Sequence, residues 1–244
     1  MNTSASRSLA VVSGMFAALV GILLGALHML SPEFDPSWRV VSEYANGHYG
    51  GVLSLMFACW AASSWALAVA VRPYLQSVRG MVGVALLVAA GVGQALASAF
   101  DINHPLHGLA DLLGGAGFPV AAVLVTMALL REQPHLRARK SLRWSAHFTW
   151  FTLIATIASI AALYFTFVHA GGHVPSDGKS LPLGTVLPHG VVAVVGYANR
   201  LMVVADCVWA IVAAFSVCEG ADLLSADRHL QSRVPQHSVS VECE

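Results

Sequence analysis

Residues 189–218 read HGVVAVVGYANRLMVVADCVWAIVAAFSVC, an apolar run in which Asn199, Arg200 and Asp206 stand out. Crossing a bilayer takes roughly 17–25 largely apolar residues in an α-helix, so this run reads as a transmembrane span. A guanidinium at the centre of such a helix costs at least about 2.5–3.5 kcal/mol, and something must offset that cost. Counted from Val191, Arg200 lies about 14 Å along the helix at 1.5 Å per residue, close to mid-bilayer. Asn199 and Asp206 share a face, but Arg200 and Asp206 do not. The expected partner of Arg200 is therefore an acid from elsewhere: Glu43, Asp101 or Asp111. Two readings of Arg200 stay open. One is an internal ion pair that fixes helix packing and adds little net stability. The other is a bidentate clamp for a carboxylate or phosphate.

Working outward from this run, five more apolar segments precede it, at about 8–30, 50–71, 80–100, 106–130 and 147–169. Polar residues, Pro and Gly separate them, as at Ser31-Pro32, Arg72-Pro73, Asn103-His104-Pro105, Gln133-Pro134 and Gly171-Gly172. The pattern predicts an all-α polytopic membrane protein, a single bundle of six transmembrane helices over residues 1–218. The polar stretch 219–244 is expected to be a disordered tail. Arg7 ahead of the first segment resembles a signal peptide. That segment is longer than a signal core and lacks a small-residue cleavage site, so it is read as a retained span.

Composition agrees. Hydrophobic residues make up 57% of the 244 and charged ones 11%, against about 25% charged in a soluble domain. Lipid must solvate most of the surface. Thirteen basic and 13 acidic residues cancel and no basic face is visible, which argues against a nucleic-acid partner. Membrane lipids are the expected surroundings. The cysteines (Cys59, Cys207, Cys218, Cys243) lie in apolar runs or the tail, and no disulfide is expected.

The basic residues set an orientation. With both termini cytoplasmic, Arg7, Arg72, Arg79, Arg131, Arg137, Arg139, Lys140, Arg143, Arg228 and Arg233 all fall on the cytoplasmic side, leaving Arg39 and Lys179 outside, as the positive-inside rule requires. The expected location is the bacterial cytoplasmic membrane. The external connections then carry most of the chemistry, including Glu33, Asp35, Ser42, Glu43, His48, Asp101, His104, His107, Asp111, His169, His173, Asp177 and His189. Any site is expected to open outward.

Several groups there could act. Gln94, Ser98 and Asp101 fall on one face of the third helix. On the fourth, His104, His107 and Asp111 occupy one narrow sector, with Pro105 in the first turn and Asn103 or His104 capping it. Imidazole and carboxylate at this spacing suit a divalent metal such as zinc, with His189 as a further ligand, or a proton relay. They equally suit a helix cap bonded to loop backbone. Ser42 and Glu43 could be nucleophile and base, though Ser42 as a helix cap is the simpler reading. Trp38, Tyr44 and Tyr49 are expected as interfacial anchors. Gly21, Gly25 and His28, like Gly114, Gly115 and Gly117, are expected in close helix contacts. The run Arg137 to Arg143 reads as a topogenic loop touching anionic head groups.

The order of four elements resembles the family of bacterial and archaeal membrane proteins known as domain of unknown function 998. These are Ser42-Glu43-Tyr44-Ala45 before the second span, Phe100-Asp101 ending the third, His107 opening the fourth, and Gly196-x-x-x-Arg200 in the sixth. The likeness covers roughly residues 10–217. It implies a six-helix membrane fold without an established activity, and marks Ser42, Glu43, Asp101, His107 and Arg200 as a common site.

The functional expectation is an outward-facing polar pocket, formed by Ser42, Gln94, Ser98, Asn199 and Arg200 among others, that binds a small anionic ligand or a lipid head group. One alternative is an intramembrane metal-dependent hydrolase, with His104, His107, Asp111 and His189 as ligands and Glu43, Asp101 and His107 as the catalytic groups. Another is a proton-coupled transporter using Asp101, His107 and Asp206. The apolar stretch of the sixth helix beyond Asp206 counts against transport.

Overall fold

The structure, a computed structural model, describes residues 3–173 and 181–233. Asp177, Lys179, Cys243 and the end of the tail lie outside the described residues. All regular structure among the described residues is helical. Six helices are long and apolar enough to cross a membrane. They are α1 (Thr3–Leu30), α2 (Gly50–Val71), α3 (Val78–Ala99), α4 (His107–Glu132), α5 (Arg139–His169) and α6 (Val195–Arg233).

Each helix packs against its neighbours in sequence, and α6 returns to lie against α1, so the bundle closes on itself. α6 also touches α2 and α4 and is the most enclosed of the six, while α5 is the least enclosed. Phe151, Ile154, Ile157 and Phe165 of α5 are accordingly exposed, as expected of residues solvated by lipid. The inner face of α5 is Ser145, Thr149, Thr152 and Thr156, all buried. Each of these hydroxyls bonds to a carbonyl three or four residues back on the same helix, so small polar side chains can pack without demanding partners.

Lipid removes most of the hydrophobic drive between helices, leaving close packing and interhelical hydrogen bonds to hold them. Ser63 on α2 donates to the Ser13 carbonyl on α1 at 2.9 Å. In the core, Phe118 meets Trp209 edge-on at 5.4 Å and Trp60 at 6.1 Å, joining α4, α6 and α2. The Trp209 indole N–H donates to Thr126 Oγ1 at 2.9 Å. Replacing that hydroxyl in Thr126→Val should leave a buried donor unpaired and cost about 1–2 kcal/mol. Thermal unfolding in detergent checks this, and an unchanged midpoint would show the bond to be dispensable.

Several boundaries differ from those expected. α5 starts at Arg139 rather than near 147, because Glu219 of α6 accepts from the backbone N–H groups of Arg137 (2.6 Å) and Ala138 (3.4 Å) and so anchors an earlier start. α6 starts at Val195 rather than near 190, after a turn in which Gly190 takes φ +85°. It then runs past Cys218 to Arg233. Cys59, Cys207 and Cys218 are free thiols.

Candidate functional site

The late start of α6 changes the meaning of its charges. Arg200 is only about 8 Å from the start of the helix at 1.5 Å per residue, near one end of the bundle, whereas Asp206 is deep in the span. Asp206 is fully buried, and neither carboxylate oxygen has a partner among the described residues. The ionisable side chain deep in the membrane is therefore Asp206.

None of the acids expected beside Arg200 pairs with it. Its Nη1 donates to the carbonyls of Arg39 (2.7 Å), Gly196 (2.9 Å) and Pro36 (3.4 Å), and its Nη2 to the Tyr44 hydroxyl (2.8 Å). The close approach of the 36–39 loop has a visible cause. A Cβ on Gly196 would lie within 2.7 Å of the Arg39 oxygen and closer still to that of Pro36. Only a hydrogen at position 196 lets these carbonyls come within reach of a guanidinium one turn on. Gly196 N also donates to Ser37 O at 2.9 Å.

Glu43 pairs with Arg39, a residue the sequence marked only as one of two basic residues on the outer side. Arg39 Nη1 lies 3.2 Å from Glu43 Oε1, and Arg39 is 2% exposed. Its Nη1 also donates to the carbonyl of Leu181 (2.6 Å) and its Nη2 to that of Pro182 (2.5 Å). Its guanidinium stacks 4.0 Å over Trp38. Burial pushes the Glu43 carboxyl above its usual range, against the pull of Arg39. Glu43 Oε2 is buried without a partner, as is Arg200 Nε. Asp35 is held below the usual carboxylate range by the backbone N–H and hydroxyl of Ser37.

Trp38 and Tyr44 are not interfacial anchors. Both are buried, Tyr44 to 1% exposure, because they stack on or bond to the two arginines; Tyr49 alone stays exposed. Ser42 is not a cap either. The 3-10 turn Val41–Asn46 begins after Val40, which supplies no side-chain cap. Asn199 of α6 does that work from outside, its Oδ1 accepting the Val41 N–H at 2.9 Å.

Behind this turn lies a cavity of about 50 Å³, with Ser42, Gln94, Asp111, Asn199 and Met202 among its lining residues. One water needs roughly 10–15 Å³ on such a measure, so there is room for a small polar group. Gln94 is already engaged. Its oxygen accepts the Trp60 indole N–H at 3.0 Å, and its nitrogen donates to Ser64 Oγ at 2.7 Å and Trp60 O at 3.2 Å. The reverse orientation would set donor against donor. Ser98 is half-buried outside the cavity wall. Asp101 leaves the expected stripe because α3 ends at Ala99. It is exposed and accepts the Asn103 N–H at 2.8 Å.

The cavity floor includes part of a π-helical stretch, Asp111–Ala116, a wide-turn feature frequent at functional sites. A Cβ on Gly93 would collide with Gly114 N, so bare backbone brings α3 against this stretch. His107 Nε2 sits 3.6 Å from Asp111 Oδ1, within ion-pair range but too long for a hydrogen bond. Its Nδ1 lies 3.3 Å from Phe100 O, which fits a proton on Nδ1 and leaves Nε2 bare.

The proposed metal set does not assemble. The His104 ring stacks on Phe100 at 4.2 Å, and its Nδ1 accepts the Leu106 N–H at 3.2 Å. That places it in the turn before α4, with Pro105 outside the helix. His189 lines a different cleft, beside Trp38 and Arg39. Among the described residues no three His, Cys, Asp or Glu side chains come together as a metal site. The supposed catalytic trio is likewise dispersed: Glu43 is tied to Arg39, Asp101 to its own turn, and His107 to Asp111. Of the glycines expected in helix contacts, Gly114 makes one, while a Cβ at Gly21, Gly25 or Gly115 would meet open space.

A family model described as "Protein of unknown function (DUF998)" matches residues 10–216. The chain belongs to this family. As a DUF998 member with six apolar helices it is a multi-pass integral membrane protein. No curated protein and no solved structure matches the chain. The Gly-x-x-x-Arg element that suggested DUF998 has a local reason in this structure: Gly196 admits the carbonyls that Arg200 binds.

Proposed function

We propose that the chain binds a small anionic ligand, a free anion or a lipid head group, at the end of the bundle that holds Arg39 and Arg200. The observation that carries this reading is the state of Arg200. Among the described residues no carboxylate lies within 4.0 Å of it, and its Nε is buried without a partner. Carbonyl dipoles and a phenol ease desolvation of the guanidinium, while Asp35 and Glu43 act on it only from beyond 4.0 Å, and a cation held without a carboxylate on its donors attracts an anion. The bare Glu43 Oε2 would accept from a ligand hydroxyl or amine. Ser42, Asn199 and the nearby cavity add further polar contacts. The excess of Arg and Lys at the opposite end supports a bacterial cytoplasmic membrane with both termini cytoplasmic, so that this site faces outward.

The test is thermal unfolding of the purified protein in neutral detergent with acetate, inorganic phosphate, glycerol phosphate or phosphatidylglycerol added. A ligand at about 100 times its Kd should add about 2.7 kcal/mol of stability. Arg200→Gln should abolish the response to acetate, inorganic phosphate and glycerol phosphate, and Arg200→Lys should keep only part of it, since an ammonium lacks the planar fork. A soluble anion whose shift persists undiminished in Arg200→Gln would reject the reading.

A further inference from the structure

At the other end of the bundle a groove of about 410 Å³ opens between α3, α4 and α5. Arg79, Arg131, Arg139, Arg143 and His147 surround it, and Val123, Met127 and Leu130 form apolar wall. Arg139, Arg143 and His147 follow one another at four-residue steps on α5, and Val123, Met127 and Arg131 do the same on α4. Each series runs along a single helix face. Charge therefore gathers at the helix ends, and apolar wall leads from it toward the middle of the span.

The acids described at this end bond to other groups. Glu132 takes the N–H groups of Gln76 and Ser77 and the Ser77 hydroxyl. Glu219 takes the N–H groups of Arg137 and Ala138, and Asp222 lies 3.4 Å from Arg7. Among the described residues none of the four groove arginines has a carboxylate within 4.0 Å. Arg139 donates to the Gln133 carbonyl at 3.2 Å. Trp144, 74% exposed, stands beside them, as an indole does at a lipid–water boundary.

We propose that this groove seats the phosphate-bearing head group of an anionic phospholipid, with the start of an acyl chain along Val123 and Met127. Convergent guanidiniums suit phosphate oxygens, and basic pockets between transmembrane helices are a recurrent way to hold such head groups. The apolar wall commits the site to a lipid rather than a free anion, for which it would supply nothing.

The test uses the full chain in neutral detergent, with lipid retention counted by native mass spectrometry and affinity taken from titration. Phosphatidylglycerol should be retained and phosphatidylcholine should not, nor should inorganic phosphate once Arg200→Gln has removed the site at the other end. Arg131→Gln with Arg143→Gln should weaken phosphatidylglycerol about twenty-fivefold, at roughly fivefold for each cation near an anionic head group. Arg137→Gln with Lys140→Gln, which takes equal charge from the same region outside the groove, should weaken it much less. Arg200→Gln should leave this binding intact, which separates it from the site at the other end. Equal losses in the two double variants, or retention in the Arg200→Gln chain of phosphatidylcholine or inorganic phosphate as strong as that of phosphatidylglycerol, would overturn the proposal.

Discussion

Arg39→Ala is expected to lower stability by about 3–5 kcal/mol, the usual result of removing one partner of a buried ion pair. It would leave Glu43, 7% exposed, with no cation within bonding distance. It would also free the carbonyls of Leu181 and Pro182, which tie the connection before α6 to the first loop. Chemical denaturation in detergent measures the first effect, and faster proteolytic cleavage near residue 181 the second. Because the pair is expensive to desolvate, replacing both members by apolar residues (Arg39→Met with Glu43→Leu) should recover most of the loss. A single variant within about 1 kcal/mol of the parent, the ceiling for an exposed pair, would mean that water reaches Glu43.

Gly196→Ala is expected to cost at or above the upper end of the about 1–3 kcal/mol typical of overpacking. The atoms in the way are backbone oxygens of Pro36 and Arg39, which cannot change rotamer. The first loop would have to retreat, taking the acceptors of Arg200 with it, so anion-induced stabilisation should vanish as well. Gly21→Ala and Gly25→Ala supply the contrast. Their added methyls meet open space, and alanine is the better helix former by about 1 kcal/mol, so those variants should be neutral or slightly more stable. Equal destabilisation at all three positions would show that the 36–39 contact is not what Gly196 serves.

The two glycine classes show how far the sequence could be read. Six spans were legible because apolar runs of sufficient length leave few alternatives in lipid. Gly21 and Gly196 look alike on paper, however; what separates them is the loop that approaches one and not the other. Arg39 was hidden in the same way. Its four-residue step to Glu43 was present in the sequence, but a basic residue in a loop is ordinarily solvated, and the burial of this one depends on residues 181–182 folding over it. Arg200 was assigned too deep because Val191 to Val194 are apolar enough to be helical yet lie before the helix starts. Asp206, passed over as the poorer partner, is the acid that lies in the interior without one. His107 and Asp111 share a helix face, so their approach was readable from spacing alone. Their separation from His104 and His189 was not, since it depends on a turn and a distant loop.

The hydrogen bond from Arg200 to the Arg39 carbonyl spans 161 residues of chain. At about 5–20 residues per second of synthesis, the first loop waits on the order of 10–30 s for α6 to emerge and supply the guanidinium. Until then Gly196 has no carbonyls to admit and Val41 lacks the Asn199 oxygen that will cap its turn. Closure of α6 onto α1 thus completes these contacts, and a chain stalled before that span would carry five helices and a first loop still lacking its guanidinium and its cap.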